Sequence, residues 1–89
     1  MTLLVGYLGD LVCTATAHQS LDKHDPLPFH YTLHFRELTS NKSAEISFIG
    51  ENDMVLAFAA WLASDEESLG SITKYRTELQ EKLPKGFMP

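Results

Sequence analysis

Cys13, His18, His24, His30 and His34 are the side chains of this 89-residue chain suited to hold a metal ion or assist a nucleophile. Their spacing argues against both. His30 and His34 are four apart in a segment that alternates apolar and polar. At a strand rise of about 3.3 Å per residue they stand about 13 Å apart, too far to share one ion. Cys13, His18 and His24 would converge only through the folding of a loop, and the chain contains neither Cys-x-x-Cys nor His-Glu-x-x-His. Nucleophilic catalysis needs a base aligned on a Ser or Cys, and a third group to orient that base. Cys13 shares a strand face with Ala15, the setting of a small buried thiol. The five glycines are scattered and form no phosphate-cradling loop. Asp65, Glu66 and Glu67 follow Ser64 in the pattern of a capping box. With Glu51 and Asp53 they suit the N-terminal ends of helices; the alternative is an acidic patch that competes for a basic groove. The residues therefore argue against an enzyme and imply no metal and no cofactor.

The element that must position His30 and His34 is a hairpin. Phe29 to Arg36 and Ala44 to Phe48 both alternate with a period of two, as half-buried antiparallel strands do. One face holds Phe29, Tyr31, Leu33, Phe35, Ala44, Ile46 and Phe48. The other holds His30, Thr32, His34, Arg36, Glu45 and Ser47. With Thr39 to Lys42 as the loop, Phe35 faces Ile46, Leu33 faces Phe48, Arg36 faces Glu45 and His34 faces Ser47. As contacts to a partner, the histidines would make binding sensitive to pH.

Thr2 to Leu8 and Leu11 to His18 read as two further strands around the turn Leu8-Gly9-Asp10, favoured as a hairpin over one long bent strand. Leu11, Cys13, Ala15 and Ala17 share one face of the second; Val12, Thr14, Thr16 and His18 share the other. Gln19 to Pro28 is a loop, polar or strand-breaking at Asp22, Lys23, His24, Asp25, Pro26 and Pro28. Past Gly50, a helix capped by Asn52 or Glu51 runs to about Ala63. Its stretch Met54 to Ala63 contains no charged or polar side chain, and a helix apolar all round is buried on more than one side. It lies either between the sheet and a second helix or, through Met54, Ala57 and Trp61, in a partner or dimer surface. The second helix opens at Ser64 and stops at Pro84, with Leu69, Ile72, Tyr75, Leu79 and Leu83 on one stripe. Strands first and helices last predict an α+β two-layer sandwich, an antiparallel sheet of three to four strands covered by two C-terminal helices. Residues 1–89 form one domain, with 84–89 a frayed tail.

Composition bounds the partners. Net charge is −5, from 12 acidic against 7 basic residues. That disfavours direct binding to nucleic acid, which needs a basic patch, and to an anionic membrane. It permits a basic protein partner, including one that itself holds nucleic acid. A single cysteine rules out an intramolecular disulfide. Met1 to Gly6 lacks a basic flank and is too short for a signal peptide or a membrane span, so a soluble cytoplasmic protein is expected.

The hairpin turn Ser40-Asn41-Lys42-Ser43, the aromatic helix around Trp61-Leu62 and the segment Leu69-Gly70-Ser71-Ile72 opening into a polar final helix occur in that order. In this layout the C-terminal two-thirds of the chain resembles the small phage-encoded anti-CRISPR proteins that block type I Cascade complexes. The resemblance implies an inhibitor that sits on the Cascade backbone in the host cytoplasm and keeps DNA from pairing with the guide. The loop Gln19 to Pro28 has no counterpart there, and no site residue carries over from the family. The sequence thus leads to a non-enzymatic protein-binding inhibitor of a larger assembly, in its sharpest form a CRISPR effector complex. The expected contacts are His30, Thr32, His34, Arg36 and Glu45 on the polar strand face, Asp22, Lys23 and His24 in the loop, and Trp61. The alternative is a homodimeric accessory protein assembling through the apolar helix 54–63.

Overall fold

A computed structural model describes residues 1–26, 29–63 and 70–88. Four strands come first: β1 (Thr2–Leu8), β2 (Leu11–Gln19), β3 (Phe29–Glu37) and β4 (Ser43–Phe48). They form one antiparallel sheet in the order β1-β2-β3-β4. Helix α1 (Glu51–Leu62) follows, then a 3₁₀ turn (Gly70–Ile72) and helix α2 (Thr73–Lys82). This is the expected α+β architecture. β1 and β2 form the favoured hairpin, with Leu8 opposite Leu11 across Gly9-Asp10. Gly9 takes φ +57°, a left-handed conformation that costs glycine little.

Period-two patterning sends Cys13, Ala15, Leu33, Phe35 and Ile46 to the inner face, where they meet Met54, Ala57, Phe58, Ala60 and Trp61 of α1. Small residues on the first hairpin let α1 come close. A Cβ on Gly6 would lie 2.9 Å from Phe58 Cζ and 3.1 Å from Leu62 Cδ2. The Trp61 ring meets Phe35 edge-on at 5.5 Å between centroids. Tyr75 and Leu79 of α2 complete this core with Leu83 and Phe87. Arg76 Nη1 donates to the Ala63 carbonyl at 2.8 Å, tying α2 to the end of α1.

Several expectations are corrected. The β3–β4 register is two residues away from the expected one: Phe35 faces Ala44, Leu33 faces Ile46, His34 faces Glu45 and Arg36 faces Ser43. The loop closes one residue early at each end. Glu37 N–H donates to the Lys42 carbonyl, Asn41 N–H donates to the Glu37 carbonyl, and Asn41 adopts φ +59°. Helix α1 is preceded by Gly50 with no side-chain cap, not capped by Asn52 or Glu51. The final α-helix begins at Thr73, after the 3₁₀ turn, and the expected helix start at Ser64 lies outside the described residues. The expected capping box, Ser64 to Glu67, and Leu69 lie outside the described residues. The tail is packed rather than frayed as far as Met88. Phe87 is 4% exposed, and its carbonyl accepts the Trp61 Nε1–H at 2.9 Å. A large apolar side chain after the helix is drawn into the core by the area it buries.

Candidate functional site

The buried residues of both helices cluster with the inner sheet face. Among the described residues, no layer covers the other face. The strand registers arrange that outer face in rows. Thr2, Thr16, Thr32 and Ser47 form a hydroxyl row. Val5, Thr14, His34 and Glu45 form the next, and Tyr7, Val12, Arg36 and Ser43 the one beyond. At the opposite end His18 sits across from His30. Neighbouring side chains shield the middle: Val12 is 8% and Thr32 7% exposed, whereas Val5 and Tyr7 on the edge strand are 50% and 64% exposed.

Val5, Tyr7, Val12, Thr14, His34 and Arg36 line an open groove of about 470 Å³. His34 Nδ1 stands 3.1 Å from Glu45 Oε2, so this carboxylate meets His34 where Arg36 was expected. Arg36 is exposed and makes no ion pair among the described residues. The groove therefore joins an apolar floor to a guanidinium that is ready to take a carboxylate.

His30 lies six residues from Arg36, about 20 Å along the strand. Its Nε2 is 2.7 Å from Asp25 Oδ2, which also accepts from Ser20 Oγ at 3.0 Å. His24 N–H donates to Asp22 Oδ1 and Asp25 N–H to the Asp22 carbonyl, so Asp22, Lys23 and His24 sit on an exposed Asx turn. This loop stands at the His18–His30 end of the face, away from the groove. The structure thus brings together Thr32, His34, Arg36 and Glu45, and puts His30 with the loop residues at the other end.

Trp61, expected among the contacts, lies in the core. It is 1% exposed, and Met54 and Ala57 are equally buried, so the helix surface expected to join a partner or second copy is the core itself. The solvent side of α1 carries Val55, Leu56 and Ala59 instead. Val5, Tyr7, Val12 and Thr14 are the site residues that the sequence did not single out. Pairing the first hairpin to β3 would have found them, since Val12 and Thr14 oppose Arg36 and His34.

Cys13 is fully buried on the inner face, and burial pushes its thiol up to about 12. A nucleophilic cysteine needs the reverse, a depressed value and access. Among the described residues, no three of His, Cys, Asp and Glu come together in a way that would hold a metal ion, and no helix is long and apolar enough to cross a membrane. Tyr75 Oη donates to Asp53 Oδ1 at 2.7 Å, and this bond to the carboxylate raises the phenol above its usual range. It is a structural bond between the two helices.

Comparison with models of protein families, with curated proteins and with solved structures finds no match to this chain.

Proposed function

We propose that this is a non-enzymatic binding protein that docks through its uncovered sheet face on a larger protein assembly and blocks, by occupancy, what that assembly binds. The observation that carries the proposal is the groove between Tyr7, Val12 and Arg36, an apolar floor beside a cation without an ion pair among the described residues. It favours a partner segment that offers an aliphatic or aromatic side chain next to a carboxylate. A standard interface takes about 800 Å² from each partner, roughly a seventh of this chain's 5910 Å² surface.

In the sharpest version the partner is a Cascade-type CRISPR effector complex, and occupancy excludes target DNA. The sheet face supports binding to a protein, and the choice of Cascade rests on the resemblance of layout alone. The test is capture on the tagged chain from bacterial lysates containing type I systems, repeated with Arg36→Glu combined with His34→Ala. Cascade subunits should be retained at fixed stoichiometry by the native chain and lost with the double variant. Recovery of the bait alone sinks the Cascade version, and equal capture by the double variant removes the sheet face as the contact.

A further inference from the structure

Among the described residues the sheet has two open edges of different chemistry. β4 carries Glu45 at one edge, its side chain 63% exposed. β1 at the other reads Thr-Leu-Leu-Val-Gly-Tyr-Leu, with no charged residue and no proline. Edge strands are ordinarily protected from pairing by charge, proline, bulges or a covering element. Among the described residues β1 has one of these devices, a bulge between Thr2 and Leu4, with Leu3 packed onto the core. The bulge leaves Leu4 to Leu8 as a regular run centred on Gly6.

A two-residue turn closes on the hydrogen-bonded pair Leu8–Leu11, so Gly6 and Leu4 also bond toward β2. Val5 and Tyr7 then aim their backbone N–H and C=O outward from the sheet, and their exposed side chains stand on the outer face.

We propose that β1 pairs antiparallel with β1 of a second copy of this chain, merging two four-stranded sheets into one continuous eight-stranded sheet. With Gly6 on the two-fold axis, Val5 of each copy faces Tyr7 of the other, and each such pair exchanges both backbone hydrogen bonds. Leu4 meets Leu8 on the inner side. The regular run pairs over its whole length and the bulges fall outside it. Charge selects this edge as well. Two copies that each carry −5 repel, and β1 brings no charged side chain to the contact, whereas pairing β4 with itself brings two Glu45 carboxylates together. A five-residue strand pair buries less than the roughly 800 Å² per partner of a standard interface, so the dimer is weak and exchanges with monomer. This inference shares Val5 and Tyr7 with the groove but does not rest on the partner proposed above.

The test is sedimentation of the whole chain over about a hundredfold range of concentration around the micromolar, beside Val5→Lys, Tyr7→Lys and Arg36→Glu. The native chain and Arg36→Glu should show the same monomer–dimer equilibrium. Val5→Lys and Tyr7→Lys, both at exposed positions, should remain monomeric at every concentration with the native circular-dichroism spectrum. Amide exchange should slow at Val5 and Tyr7 as the dimer forms. A native chain that is monomeric throughout overturns the proposal, as does a dimer that survives both lysine variants. Loss of the dimer in Arg36→Glu overturns it in favour of sheets stacked face to face.

Discussion

Replacing Trp61 by Phe tests whether the C-terminal tail is held by one hydrogen bond. Trp61 Nε1–H donates to the Phe87 carbonyl at 2.9 Å, in a site where both residues are nearly fully buried. Phenylalanine keeps an aromatic ring near Phe35 but has no donor and is smaller by roughly 40 Å³, which at about 24 cal/mol per Å³ of cavity costs about 1 kcal/mol. The stranded buried carbonyl adds about 1–3 kcal/mol. The expected loss is therefore about 2–4 kcal/mol, a large share of the roughly 4–13 kcal/mol available to a domain of this length. Urea unfolding followed by tryptophan-independent circular dichroism measures it, since the substitution removes the fluorophore. Removing residues 85–89 from the native chain and from Trp61→Phe closes a double-mutant cycle. If the bond matters, the two losses are non-additive, because the truncation has already deleted the acceptor. A loss below about 1 kcal/mol, or full additivity, would refute the claim that Trp61 anchors the tail.

Three further predictions concern the inner face. Gly6→Ala places a methyl group against Phe58 and Leu62, and the overpacking should cost about 1–3 kcal/mol, read as a lower urea midpoint with an unchanged slope. Cys13 has its thiol raised from about 9 to about 12 by burial; the unfolded thiol ionises first, so stability present below pH 9 is lost as pH rises toward 12. The loss is at most about 1.4 kcal/mol per pH unit, and its slope should be shallower in Cys13→Ala when the two unfolding curves are compared between pH 8 and 11. In the native protein below that range, alkylation of Cys13 should proceed only as fast as the chain unfolds.

The division of each strand into an inner and an outer face was legible, because burial of one face imposes a strict alternation. The register of β3 on β4 was not. A shift of two residues returns every side chain to the same face, so patterning cannot separate Phe35 opposite Ile46 from Phe35 opposite Ala44. The turn decides, through Asn41 in the left-handed conformation, which Asn tolerates better than most residues. That displacement also moved the partner of Glu45 from Arg36 to His34 and left Arg36 without an ion pair among the described residues. The apolar character of α1 was read correctly as burial on several sides, yet its second cover was partly missed. Phe87 follows a helix stop and sits in a short run with Gly86 and Pro84, which looks like a fraying end. Only the three-dimensional position of Trp61 shows what that phenylalanine covers. The groove escaped the sequence for a different reason. Val5, Tyr7, Val12 and Thr14 come from the first hairpin and meet His34 and Arg36 only through the β2–β3 pairing, which no local signal fixes.

The strand order has a consequence for how the chain reaches its native state. Every strand pairs with the one before it, so each addition closes a loop of modest length, and the sheet can grow stepwise from its turns. The helical layer is written last. During synthesis the strands emerge before α1, and until Trp61 has left the ribosome Leu33 and Phe35 have nothing to pack against. A nascent sheet with both faces bare and an uncharged outer strand is the state of this molecule most exposed to wrong association. Arrival of α1, with Phe58 and Leu62 over Gly6, ends that interval on the inner face, and among the described residues nothing closes the outer one.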